Sequence, residues 1–209
     1  MYVFDFDGVL ARSLETCAAA CTQAARAQAY GTSLGPNPFA DLNPLTYERL
    51  GERLGLDPVR FAEDTVEIVQ RSAVPPLVEG MVNVFSDLSD RAPIAILSAS
   101  HSQSIRTFLK HHDIERFVAR VIGRDMSVSK SGTLARLQQS SGGGVIAMVG
   151  DSVSDIAAAH FANVTAIGVN WGWQSEEILD QHGAEFVARS PFHLLRQCLR
   201  LNGSVEQAV

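Results

Sequence analysis

The chain is short of lysine, of cysteine and of long apolar runs. Of its 17 basic residues only Lys110 and Lys130 are lysines, and the formal net charge is −6. An acidic surface repels nucleic acid and anionic membranes, so neither is an expected partner. The three cysteines, Cys17, Cys21 and Cys198, are too few and too unevenly placed for a disulfide framework. Cys17 and Cys21 sit one helical turn apart with no further Cys or His beside them. They read as small residues of an alanine-rich helix rather than as a metal pair. No apolar run reaches the ~18 residues a membrane span needs, and no basic-then-apolar leader opens the sequence. A cytoplasmic protein without a membrane partner is the expectation.

What is present is a strand–helix alternation. Hydrophobic residues make up 46% of the 209 and charged residues 19%, enough apolar mass for a sizeable core. Short runs rich in Val, Ile and Ala predict strands at Tyr2–Phe4, Ile94–Leu97, Phe117–Ile122, Val145–Val149, Thr165–Val169 and Glu185–Val187, as expected for strands covered on both faces. Helical patterns fall between them, at Gly80–Arg91, Ser102–His112, Gly132–Ser140, Asp155–Ala162, Glu176–His182 and Pro191–Leu201. This alternation predicts an α/β fold, a doubly wound parallel sheet with right-handed crossovers. Residues 13–78 break the pattern. Ser13–Tyr30, Thr46–Leu54 and Pro58–Ser72 read as helices, and the Gly- and Pro-rich stretch 31–44 reads as a loop. The predicted division is an α/β core from 1–12 and 79–209 with a helical insertion at 13–78. Gly142–Gly144 precedes a strand, the wrong order for a phosphate-cradling loop, and reads as a turn.

Four places carry chemistry. In MYVFDFDGVL an apolar strand runs into Asp5 and Asp7, two carboxylates on one face that repel unless a cation or a proton lies between them. In PIAILSAS the strand ends at Ser98, whose hydroxyl could donate to a phosphate oxygen; Ser100 fits better as the cap of the next helix. Lys130 opens a helix, where a cation opposes the dipole unless an anion lies beside it. In VIAMVGDSVSDIAAA, Asp151 falls at a strand end and Asp155 one helical turn on. Asp155 could also close a capping box with Ser152. Each place lies at the carboxyl edge of the expected sheet, where ligands of such sheets bind. Converging carboxylates with so little positive charge call for a hard cation with oxygen ligands, and magnesium is the natural one.

These residues, in this order, resemble the haloacid dehalogenase superfamily, in its phosphatase branch with an α-helical cap. Asp5-Phe6-Asp7-Gly8-Val9-Leu10 looks like its first motif, Ser98 its second, Lys130 its third, and Gly150-Asp151-Ser152-Val153-Ser154-Asp155 its fourth. The stretch 166–172 and the position of the helical insertion are also similar. The resemblance implies a magnesium-dependent phosphatase of a small phosphorylated metabolite, acting as a monomer or homodimer. It implies that Asp5 is the nucleophile and forms an aspartyl-phosphate, and that Asp7 is the acid and base. Magnesium would be held by Asp5, the Asp7 carbonyl and Asp151, with Asp155 in support, while Ser98 and Lys130 bind the phosphoryl oxygens. Arg12, where many relatives carry an acidic residue, reads as a solvated residue. A dehalogenase has no need of Asp7, and a phosphonate-cleaving relative needs a cap lysine that 13–78 lacks. Three readings stay open beside the phosphatase. One is a sugar-phosphate mutase using Arg49, Arg53 and Arg60. Another is a serine esterase built on Ser152 with Asp180 and His182. The third is a binding protein that keeps the fold alone.

Overall fold

A computed structural model describes residues 1–206 except 32, 128 and 143. Six parallel strands form one sheet: β1 (Tyr2–Phe4), β2 (Ile94–Leu97), β3 (Val118–Ile122), β4 (Ala147–Gly150), β5 (Thr165–Val169) and β6 (Phe186–Ala188), in the order β3-β2-β1-β4-β5-β6. The chain lays down β1, β2 and β3 in one direction. It then returns past β1 to lay down β4, β5 and β6 in the other. The switch point therefore lies at β1, between β2 and β4, and a crevice opens beyond the carboxyl ends of these three strands. Register aligns those ends, with Phe4 opposite Ile96 on one side and Val149 on the other.

The two faces of the sheet bury different sets, as strand alternation requires. Tyr2, Phe4, Ile94 and Ile96 point to one face. There they meet α4 (Met81–Ser89), α5 (Ser102–His111) and α9 (Pro191–Glu206). Val3, Ala95, Leu97 and Met148 point to the other, against α6 (Lys130–Ser140) and α7 (Val153–Phe161). A further helix, α8 (Glu176–Gln181), lies between β5 and β6. Tyr2 keeps its hydroxyl satisfied inside the core by donating to the Cys198 carbonyl at 2.9 Å.

Between β1 and α4 the described residues form three helices, α1 (Leu14–Ala27), α2 (Tyr47–Arg53) and α3 (Pro58–Arg71). Local chemistry starts two of them. The Thr46 hydroxyl accepts from the Arg49 N–H at 3.1 Å, and Asp57 accepts from Val59 and Arg60 ahead of α3, whose first residue is Pro58. The three helices bury Cys17, Cys21, Ala24, Phe39, Leu50 and Phe61 in a cluster of their own, joined from the sheet side by Trp173. The cysteines are thus packing residues, all three free, with thiol pKa values raised by burial. The chain enters and leaves this layer through two paired segments. The Arg12 N–H donates to the Pro76 carbonyl at 2.9 Å and the Val78 N–H to the Leu10 carbonyl at 2.8 Å.

The expected elements are present, with boundaries displaced by a few residues. α6 begins at Lys130 rather than Gly132 because the Ser129 hydroxyl caps it, accepting from the Gly132 N–H at 3.2 Å. The expected loop at 31–44 and turn at 142–144 each include one residue outside those described, and the expected core range ends in three more. Among the described residues no helix is long and apolar enough to cross a membrane.

Candidate active site

Asp5 follows β1, Ser98 follows β2 and Asp151 follows β4, so parallel register alone brings three of the expected residues to one edge. Lys130 arrives from the first turn of α6 and Asp155 from the first turn of α7. Asp5, Asp7, Ser98, Lys130 and Asp151 line a single cavity of about 840 Å³ between the sheet edge and the helical layer. Asp155 stands behind its wall, fully buried. Carboxylate oxygens of Asp5, Asp151 and Asp155 all lie within 4.8 Å of one another.

Lys130 is the counter-charge. Its Nζ lies 2.5 Å from Asp155 Oδ1 and 3.1 Å from Asp5 Oδ1, with 17% of the side chain exposed. Burial opposes its charge, but the two carboxylates outweigh that and raise its pKa. The helix-dipole penalty expected for a lysine here is offset by these anions. Asp155 is held on its other oxygen as well, since Oδ2 accepts from the Ser152 N–H at 3.1 Å and the Ser152 hydroxyl at 2.6 Å. Asp155 therefore closes the anticipated capping box while its other oxygen meets Lys130.

The remaining carboxylates are poorly compensated. Burial pushes Asp5 up to about 7, with Lys130 opposing and Asp155 and Asp7 adding to the rise. Asp151 is raised well above the ordinary carboxylate range, by burial and then by Asp5 and Asp155. Asp5 Oδ1 has no aligned hydrogen bond, only the ion pair to Lys130. A Cβ on Gly8, at φ +75°, or on Gly172 would overlap the Asp151 carboxylate. Two loops are thus kept bare of side chain to seat one acid. Clustered carboxylate oxygens, one of them held by no more than the Lys130 ammonium, fit a hard divalent cation.

Two residues were misread or missed in the sequence. Ser100 does not cap α5. His101 does, accepting from the Gln103 N–H at 3.3 Å, while the Ser100 hydroxyl donates to Asp7 Oδ2 at 2.5 Å. This bond holds down the pKa of Asp7, which burial raises. The Ser100 N–H in turn donates to the Ser98 hydroxyl at 3.1 Å, leaving the Ser98 proton free to donate onward. The second residue is Trp173, whose backbone N–H donates to Asp151 Oδ2 at 2.7 Å. A serine hidden behind a strand end and a backbone donor in a distant loop leave no periodic signal. Gly172, between Trp171 and Trp173, is the residue that permits the close approach to Asp151. Arg12 is exposed, as expected, beside a neighbouring cavity.

The family model for haloacid dehalogenase-like hydrolases matches residues 2–169, a span that begins in β1 and ends with β5. The chain belongs to the haloacid dehalogenase-like hydrolase family. A curated relative from Synechococcus elongatus, named phosphoglycolate phosphatase, is 27% identical over 212 residues, covering 95% of this chain and 97% of the relative. A crystal structure from Clostridium acetobutylicum, described as a predicted phosphatase, superposes with a TM-score of 0.81 at 19% identity, over 95% of this chain and 97% of that one. A hydrolase from Pseudomonas syringae gives 0.72 at 20% identity, over 93% and 95%. At such identities the two structures speak for the fold alone. This member of the haloacid dehalogenase-like family has the doubly wound parallel sheet expected of it, and among its residues the cluster of Asp5, Asp151 and Asp155 could hold a metal ion.

Proposed function

We propose that the chain is a magnesium-dependent phosphatase of small phosphate monoesters, with Asp5 as nucleophile. The observation that carries this reading is the meeting of Asp5, Asp151 and Asp155 within 4.8 Å, with Lys130 bridging two of them. The relative named phosphoglycolate phosphatase supports the same reaction class. Magnesium held by Asp5, the Asp7 carbonyl and Asp151, with Asp155 in support, would neutralise the acids and the substrate's oxyanion. The chain's own groups do the rest. Lys130 and the free Ser98 proton bind phosphoryl oxygens and hold phosphorus before Asp5. Asp5 attacks and forms an aspartyl-phosphate. Asp7, its carboxyl raised by burial and oriented by Ser100, gives a proton to the leaving alcohol. It then takes one from the water that hydrolyses the acyl phosphate. The helical layer, acting as a cap of about residues 13–78, excludes bulk water from the cavity.

The alternatives find less support. Arg49 pairs with Glu52 at 2.9 Å, Arg60 with Asp64 at 3.7 Å, and Arg53 donates to the Pro38 carbonyl. None of the three lines the cavity, so a bisphosphate intermediate would find no cap cation there. Ser152 donates to Asp155, and the His182 ring bonds Ile178 on its own helix, so an esterase dyad has no geometry. The test is p-nitrophenyl phosphate hydrolysis by wild type and Asp5→Asn, with magnesium and with EDTA, alongside a thermal melt. Metal-dependent turnover lost by at least about a thousandfold in a folded Asp5→Asn is expected. Wild-type activity in that variant would remove Asp5 from the chemistry.

A further inference from the structure

The cavity has two unlike walls. At the sheet edge stand Asp5, Asp7, Asp151, Ser98 and Lys130. Arg124, the other cation on the wall among the described residues, comes from the turn after β3, where its backbone N–H donates to the Ser100 carbonyl at 3.1 Å. The opposite wall comes from α2, α3 and the residues just before α2. It is apolar at Leu45, Val59, Ala62 and Val66, with Val59 61% exposed. Interleaved with these are Glu48, Glu63 and Glu67. No cation of residues 13–78 lines it. Glu67 is paired with Arg71, while Glu48 and Glu63 have no ion-pair partner among the described residues.

This wall faces the part of the substrate that leaves with the alcohol oxygen. A carboxylate there would meet three glutamates and an apolar surface, with no cation contributed by α2, α3 or the residues just before α2. Desolvation and like-charge repulsion both act against it. A short hydrocarbon body ending in an ammonium would instead cover Val59 and Val66 and find acidic partners. We infer that the preferred substrate is the phosphate ester of an amino alcohol, and that esters bearing a second anionic group are disfavoured. This rests on the phosphatase reading and sharpens it, since it sets the chain apart in substrate from what its phosphoglycolate-named relative suggests.

The experiment measures kcat/KM with magnesium for phosphoethanolamine, phosphocholine and 2-phosphoglycolate, in wild type and Glu63→Lys, at low ionic strength. Glu63 is exposed, so the variant is expected to melt as wild type does. If melting shows otherwise, Glu63→Gln replaces it and the shift is smaller in the same direction. In wild type at least one amine ester should exceed 2-phosphoglycolate by about tenfold or more, and Glu63→Lys should narrow that ratio. A smaller or inverted wild-type ratio, or a ratio that Glu63→Lys leaves unchanged, overturns the inference. If no ester is hydrolysed, p-nitrophenyl phosphate included, the phosphatase reading falls and this inference with it.

Discussion

Lys130 carries the electrostatics of the site at the scale of one residue. Four acids, Asp5, Asp7, Asp151 and Asp155, face one nearby ammonium, and two of them touch it. Replacing Lys130 by methionine keeps the stem and removes the charge, so Asp5 and Asp155 are left buried against each other. Breaking a buried pair on one side costs about 3–5 kcal/mol. A lower melting temperature in EDTA is expected, with the deficit against wild type shrinking when magnesium is added, because a bound cation stabilises the folded state. Turnover should fall by about a hundredfold or more even at saturating magnesium, through the lost phosphoryl contact. A Lys130→Met protein that melts like wild type in EDTA would show that the ammonium balances nothing. The same electrostatic logic explains what the sequence disclosed. Acids at strand ends have no packing reason to be there, so Asp5, Asp7 and Asp151 were legible. Ser100 was not, because a serine between a strand and a helix is ordinarily a cap, and here His101 had taken that place.

At the scale of elements, the turn after β3 is what sets the Ser98–Ser100 loop. Gly123 allows the close approach, since a Cβ there would overlap the Ser102 amide and the Ser100 carbonyl. Asp125 then accepts from the Ser102 N–H at 2.7 Å and from its hydroxyl at 2.6 Å, anchoring the start of α5. These bonds from Ser102 hold the Asp125 carboxyl down at about 2 against an ordinary value of 3.8. The ionised form is therefore the one that stabilises the fold. Its contribution is complete above pH 3.8 and is lost as pH falls towards about 2. Asp125→Asn should melt at a lower temperature than wild type at neutral pH, and the gap between them should close across that acid window. A gap independent of pH would separate Asp125 from the anchoring. The strands themselves were readable because runs of Val, Ile and Ala bounded by polar residues leave little choice. The ends were not, because β4 continues through Gly150 and α7 starts at Val153, places where hydrogen bonds rather than hydrophobicity decide.

For the whole molecule, the joint between the sheet and the helical layer passes through the same loop that holds Asp151. The Gln174 side chain accepts from the Val153 N–H at 2.7 Å on the sheet side and donates to the Leu42 carbonyl at 3.0 Å and the Ala40 carbonyl at 3.3 Å on the other. Asn37 donates to the Trp173 carbonyl at 2.7 Å, and Phe39 stacks on the Trp173 ring with centroids 4.6 Å apart. None of this could be read in advance: the partners across the joint are more than 130 residues apart, and lone Asn and Gln residues in loops carry no pattern. The helices between residues 13 and 78 were readable, because no strand pattern falls there; their attachment to the sheet was not. The attachment has a consequence for catalysis, because Trp173 gives its N–H to Asp151 while its ring is held by the helical layer. Loosening the layer should therefore disturb the acid, not merely open the cavity. Gln174→Ala removes both sides of the joint and leaves the buried Val153 N–H without its acceptor, at a cost of about 1–3 kcal/mol. Amide exchange should quicken over residues 36–42 and at Trp173, and the magnesium concentration for half-maximal activity should rise by several-fold, about what 1 kcal/mol implies. A joint that only closes the lid would change KM for the ester and leave the magnesium requirement where it was. Titrating the metal at saturating ester separates the two, and an unchanged requirement in a variant with quickened exchange would uncouple Asp151 from the layer above it.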